Sequence, residues 1–247
     1  MKKFALIGMM TVAIFGVTSA LDLPEFLQVC KRNDPNMGEC IKNSINNFKP
    51  YLKTGLPDYK IPSLEPLFLN ELLATTGGNI KMKLRNVLVH GASDFNIRRL
   101  KASLETYSFI AELDLPKLSI EGEYDVDGKL ILLVIRGSGP MSGNFTNCRG
   151  LVRLQMAMKK GPDGQDYLSV SDLKTKISVG GGVLKLQNLF GGDPVLGEAI
   201  NMAINNNFDA FIKELAPSLE NAISNTFTNI ANSILPLYTY NVLFPVS

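Results

Sequence analysis

The sequence has no tryptophan, one histidine and three cysteines in 247 residues. Without tryptophan, the chain lacks the aromatic platform expected beside the paired carboxylates of a glycosidase, so Glu121 and Glu123 do not read as such a pair. With His90 alone, a Ser-His or Cys-His mechanism has one candidate base, and that residue precedes Gly91 at a predicted strand end. No Gly-x-Ser-x-Gly elbow occurs. A lone histidine and an expected disulfide leave too few ligands for zinc. Asp125-Val126-Asp127-Gly128 lacks the later carboxylates of a calcium loop. Gly137-Ser138-Gly139 runs into Pro140 rather than a helix, so it is not a phosphate cradle. No catalytic residue, metal site or cofactor is assigned, and the chain reads as a non-enzyme.

Charge is also scarce. Charged residues make up 19% of the chain, and the formal net charge is +2. If Lys2 and Lys3 are removed, the remaining basic residues balance the 23 acidic ones. A nucleic-acid-binding stripe is therefore not expected. Arg98, Arg99 and Lys101 form the densest basic cluster and read as a solvated edge. After residue 17 no apolar run is long enough for a membrane span, so stable membrane insertion is not expected.

Several processing and cross-linking features are present. Lys2-Lys3, the apolar run Phe4 to Val17 and Thr18-Ser19-Ala20 have the order of a secretory signal peptide, with cleavage expected after Ala20. Residues 21–247 then form one domain of an exported protein, expected to be a monomer. In that compartment three cysteines predict one disulfide and one thiol left over. Cys30 and Cys40 are near in sequence and flank Asp34-Pro35, which reads as the cap and first turn of a helix ending near Lys49. Their pairing leaves Cys148 as a buried, inert thiol. Asn144-Phe145-Thr146 is an N-glycosylation sequon.

Hydrophobic periodicity supplies the architecture. Leu118, Ile120, Tyr124 and Val126 alternate with Ser119, Glu121, Glu123 and Asp125, as on a strand with one apolar face. Asp127-Gly128 predicts a tight hairpin into Leu130 to Ile135, whose uninterrupted apolar character predicts cover on both faces. Tyr107, Phe109, Ala111, Leu113 and Leu115 line one face of another run. Met82 and Leu84, then Val152, Leu154, Met156 and Met158, then Leu173, Thr175, Ile177 and Val179, repeat the period of two. Pro50, Pro57, Pro62 and Pro66 predict an extended path between the first helix and these strands. From Leu196 the period lengthens through Ile200, Ile204, Phe208, Phe211, Leu215, Leu219, Ile223, Phe227, Ile230 and Ile234. That spacing predicts one long helix, bent at Pro217, with Phe208, Phe211 and Leu215 facing the sheet. Its other surfaces carry Asn201, Asn205, Asn206 and Asn221 rather than Lys and Glu, which predicts a helix largely enclosed by the sheet.

Four segments together carry a family resemblance: Cys30 to Cys40, Ile61-Pro-Ser-Leu-Glu-Pro-Leu, Leu115-Pro-Lys-Leu-Ser-Ile-Glu-Gly-Glu-Tyr-Asp-Val-Asp-Gly, and Ile135-Arg-Gly-Ser-Gly-Pro followed by Gly143-Asn-Phe-Thr. With these the chain resembles the insect takeout and juvenile-hormone-binding protein family. It departs from the pattern at Val134, where proline is expected, and its lone Cys148 cannot form the second disulfide of the hormone-binding branch. It is therefore more similar to the takeout branch. The resemblance implies an α+β fold: a long C-terminal helix wrapped by a highly curved antiparallel sheet, of the tubular lipid-binding, super-roll kind. It also implies an apolar internal tunnel and no enzymatic activity. The expected role is a secreted carrier for a fatty acid, fatty ester or terpenoid such as juvenile hormone. The alternative is a membrane-surface or bacterial-lipid binder. A receptor or transfer partner is left open. On this reading the residues expected to meet ligand are Tyr107, Phe109, Ile120, Tyr124, Val152, Leu154, Met156, Met158, Phe208, Phe211 and Leu215. The two tyrosines would offer hydroxyls to a polar end.

Overall fold

The computed structural model describes residues 23–76, 80–130 and 133–246. The predicted leader and the Gly77-Gly78 turn lie outside them. A long antiparallel pair forms the spine: β4, Ser108–Leu130, and β5, Leu133–Lys160. Each outer edge of the spine carries two shorter strands placed end to end. Along β4 these are β2, Ile80–His90, and β3, Asn96–Ser103; along β5 they are β6, Asp166–Ser178, and β7, Gly181–Leu186. β1, Leu67–Thr76, extends the sheet beyond β2. The result is one large curved antiparallel sheet that does not close into a barrel.

α1, Met37–Leu52, packs on β3. α2, Pro194–Asn206, and α3, Phe208–Ile234, pack on β7, β1 and β6. α3 thus spans the hollow of the sheet from the β1 side to the β6 side. A last short helix, α4, Tyr240–Leu243, packs on β6. Cys30 and Cys40 are bonded, and among the described residues Cys148 is a free, buried thiol.

Four expectations need correction. The β4–β5 ladder continues through Asp127↔Arg136 and Gly128↔Ile135 to Leu130↔Leu133, so the chain does not reverse at Asp127-Gly128. The alternation that buries Tyr124 and Val126 extends the strand past the turn-forming dipeptide. Val134, expected to be covered, is 61% exposed while Ile135 is buried, so this segment has an inner and an outer face. The long C-terminal helix is interrupted at Asn207, with φ −120° and ψ 32°, whereas Pro217 lies inside the continuous α3. At the break, the Asn207 backbone N–H donates to the Ala203 and Ile204 carbonyls, and its side chain adds a second donor to the Ala203 carbonyl. Because the apolar stripe stays in phase across Asn207, periodicity alone shows one helix. α1 also begins later than its Asp34-Pro35 signal and keeps Pro50 inside its last turn.

The spine changes face at its middle. Leu113 and Leu115 face the hollow, and so do Leu118 and Ile120, an odd-to-even switch across Pro116. On the paired strand the switch lies between Phe145 and Cys148, opposite it in register, where Asn147 takes a left-handed φ of 52°. Both strands turn together, and the apolar face stays on the concave side of the bent sheet. Close packing of the crossing chain requires Gly137: a Cβ there would sit 2.9 Å from Leu189 Cα and 3.1 Å from the Tyr124 hydroxyl.

Helix side chains satisfy backbone groups along the β7 and β6 edges. Asn205 accepts from Leu184 N–H and donates to Leu184 C=O, both at 2.9 Å. Asn201 does the same for Leu186, again at 2.9 Å. Two asparagines one turn apart thus replace a neighbouring strand along β7. On β6, Val170 N–H donates to Asn232, Thr175 N–H to Ser224 and Ile177 N–H to the Glu220 carboxylate. This explains the asparagine on these helices and closes edges that would otherwise recruit another chain.

Candidate functional site

Between α3 and the concave sheet lies a cavity of about 530 Å³, within the range of small-ligand sites. Its wall draws on every strand but β3, and on α3. β1 and β2 contribute Leu72, Met82 and Leu84; β4 contributes Leu113 and Ile120; β5 contributes Phe145 and Val152; β6 contributes Leu173 and Ile177; and α3 contributes Phe211, Leu215 and Ile223. Phe227, also in the wall, is 37% exposed, and the cavity is partly open to solvent.

The two threonine hydroxyls in the wall are already engaged. The Thr175 hydroxyl donates to the Glu220 carbonyl at 2.9 Å, and the Thr226 hydroxyl donates to the Ala222 carbonyl at 3.0 Å. Arg149 and Lys176 border the cavity but pair with Asp114 and Glu220. Burial pushes the Cys148 thiol up, so this wall residue is protonated and a poor nucleophile at neutral pH. Such a wall can hold apolar matter by burial and has little means of discriminating polar groups.

The expected ligand residues divide into two sets. Ile120, Val152, Phe211 and Leu215 line the cavity. Phe208 lies next to it, stacked on Phe145 with ring centroids 5.9 Å apart. Tyr124 is fully buried, and its hydroxyl donates to the Gln187 carbonyl, tying β4 to the chain after β7. Desolvation pushes that phenol up to about 12. Tyr107 sits in the turn before β4, edge-on to Tyr240. Phe109 pairs with Leu154 further along the spine, and Met156 and Met158 continue away from the cavity, all four half-buried. Sequence reading did not single out Leu64, Ala92 and Phe95, which reach the wall from connecting segments. Cys148 was legible as buried but gave no sign of facing a cavity.

His90 makes no serine dyad. Its Nδ1 lies 3.6 Å from the Glu65 carboxylate, and Ser93 donates its hydroxyl to that same carboxylate at 3.1 Å. A nucleophilic serine would donate to the imidazole instead. Desolvation would raise the Glu65 pKa. Hydrogen bonds from Gly91 and Ser93, with His90 nearby, outweigh it and hold the carboxyl below its ordinary value. The cluster fixes the start of β1 to the end of β2. Among the described residues no group of three or more His, Cys, Asp or Glu side chains could hold a metal ion, and no helix is long and apolar enough to cross a membrane.

A family model described as haemolymph juvenile hormone binding protein matches residues 7–245. The chain belongs to this family. It is 26% identical over 248 aligned residues to the circadian clock-controlled protein daywake of Drosophila melanogaster, covering 96% of this chain and 94% of that protein. It is 21% identical to a Schistocerca gregaria protein provisionally named beta-carotene-binding protein, covering 89% of this chain and 88% of the other. Among solved structures, Epiphyas postvittana Takeout 1 matches with a TM-score of 0.71 and 22% identity, over 83% of this chain and 94% of that one. That likeness supports the fold: a curved antiparallel sheet with a long C-terminal helix.

Proposed function

We propose that this family member is a secreted, non-enzymatic carrier that holds one long apolar molecule in a tunnel between α3 and the sheet. The observation that carries this reading is the cavity of about 530 Å³ with an aliphatic and aromatic wall. The carotenoid named for the Schistocerca relative belongs to the same chemical class, long and apolar. Fatty acids, fatty esters and terpenoids fit that description equally. Burying roughly a dozen methylenes at ~0.8 kcal/mol each gives about 10 kcal/mol gross. After association costs, a dissociation constant on the order of micromolar follows. The committed wall hydroxyls favour a ligand whose polar end remains near solvent, with the chain length inside.

The test is displacement of a fluorescent fatty acid, using wild type and a cavity-filling variant. Val152→Trp should block binding, whereas Met158→Trp, on the same strand but beyond the cavity, should leave it intact. Equal binding by both variants would place the ligand elsewhere. Hydrolysis of a fatty ester by wild type and its loss in His90→Ala would overturn the non-enzymatic reading.

A further inference from the structure

Asn144-Phe145-Thr146 is the one Asn-x-Ser/Thr sequence in the chain, and ligand carriage makes no use of Asn144 or Thr146. The three side chains point to opposite sides of the sheet. Phe145 lines the cavity, whereas Asn144 and Thr146 are exposed on the convex face. Asparagine is poorly suited to the middle of a strand. Yet Asn144 sits within β5, paired with Ser119 on one side and Val183 on the other. Val183, directly opposite, is 59% exposed on that same face. The fold therefore leaves an outward amide beside an uncovered apolar side chain, with the ligand cavity on the far side of the sheet.

We propose that Asn144 carries an N-linked glycan whose first sugar lies over Val183 on the convex face. The reaction is transfer of an oligosaccharide from a lipid-pyrophosphate donor in the secretory lumen. The Asn144 amide nitrogen forms a bond to the anomeric carbon. The bond from that carbon to the pyrophosphate oxygen breaks, the amide loses one proton, and lipid pyrophosphate leaves. The acceptor tripeptide is read before or during folding, with Thr146 as its required hydroxyl residue. In the folded protein the glycan is surface-borne and solubilising, and cannot enter the cavity because the sheet lies between them.

This inference depends on the export part of the proposed function, and the experiment separates the two. The full chain is expressed in insect cells twice, once with its own leader and once with residues 1–20 replaced by a proven secretory leader. Secreted protein is mapped by peptide mass spectrometry before and after peptide-N-glycosidase treatment. The expected result is a glycosylated Asn144 peptide, absent in Asn144→Gln and Thr146→Ala and retained in Thr146→Ser, with unchanged fluorescent fatty-acid binding in Asn144→Gln. Glycan found only with the replacement leader would refute native export while supporting the site. Protein secreted by either leader with Asn144 unmodified would overturn the inference. A second readout addresses the placement over Val183. Enzymatic deglycosylation should increase binding of an apolar surface dye, and Val183→Thr should abolish that increase. An identical increase in Val183→Thr would show that the sugar does not cover this residue.

Discussion

The paired asparagines on α2 invite the sharpest stability test. Asn201→Ala removes two hydrogen bonds to Leu186, and Asn205→Ala removes two to Leu184, each 2.9 Å long. A net hydrogen bond contributes about 1 kcal/mol, and a polar group left unmet costs ~1–3 kcal/mol in all. Truncation at this edge admits water to the freed groups, so the lower part of that range applies. Each substitution should cost about 2 kcal/mol, and the double variant about 4 kcal/mol if the sites act independently. For a domain of this size the unfolding midpoint should fall by roughly 8–16 °C in the double variant. Asn206→Ala, exposed on the same helix, is the control and should change stability by less than about 0.5 kcal/mol. Thermal and urea unfolding measure the loss, and amide exchange locates it, with Leu184 and Leu186 exchanging faster. A double variant that loses under about 1 kcal/mol, with unchanged exchange at both amides, would refute the idea that these side chains stand in for a strand.

Other consequences follow from the same contacts. Tyr124 has its phenol pushed up to about 12, so its contribution is complete below pH ~10 and is lost as pH rises through about 12. Tyr124→Phe should flatten this alkaline loss in pH-dependent unfolding while costing about 1–2 kcal/mol at neutral pH for the orphaned Gln187 carbonyl. Glu65 behaves in the opposite sense: its lowered pKa gives stability that is present above the ordinary carboxylate range and lost as pH falls, and Glu65→Gln should weaken that acid dependence. Cys148, protonated in the cavity wall, should react slowly with N-ethylmaleimide, and more slowly still after loading with oleic acid. Fast alkylation unaffected by oleate would place the thiol outside the ligand's reach.

The strand faces were legible because a period of two records burial directly, as Tyr124 and Val126 against Glu123 and Asp125 show. The edge-capping role of asparagine was only partly legible: its abundance on an apolar-striped helix pointed to enclosure by the sheet, with sheet backbone or water as its partner, and Leu184 and Leu186 could not be named. The break at Asn207 was hidden by the unbroken stripe, and Asp127-Gly128 misled because local turn preference yielded to long-range pairing. The cavity itself was the least legible feature. A wall residue and a core residue share the same apolar face, so the pattern that selected Val152 also selected Met158, and only the position of α3 along the sheet separates them.

The central claim is that the space between α3 and the sheet is a ligand site. Its most direct test is native mass spectrometry of protein purified from its own tissue, followed by organic extraction and identification of what is released. The account predicts one long apolar molecule per chain, which also binds recombinant wild type and fails to bind Val152→Trp. Protein that carries no apolar molecule and takes up none when offered, or a co-purified molecule that binds Val152→Trp as tightly as wild type, would contradict it.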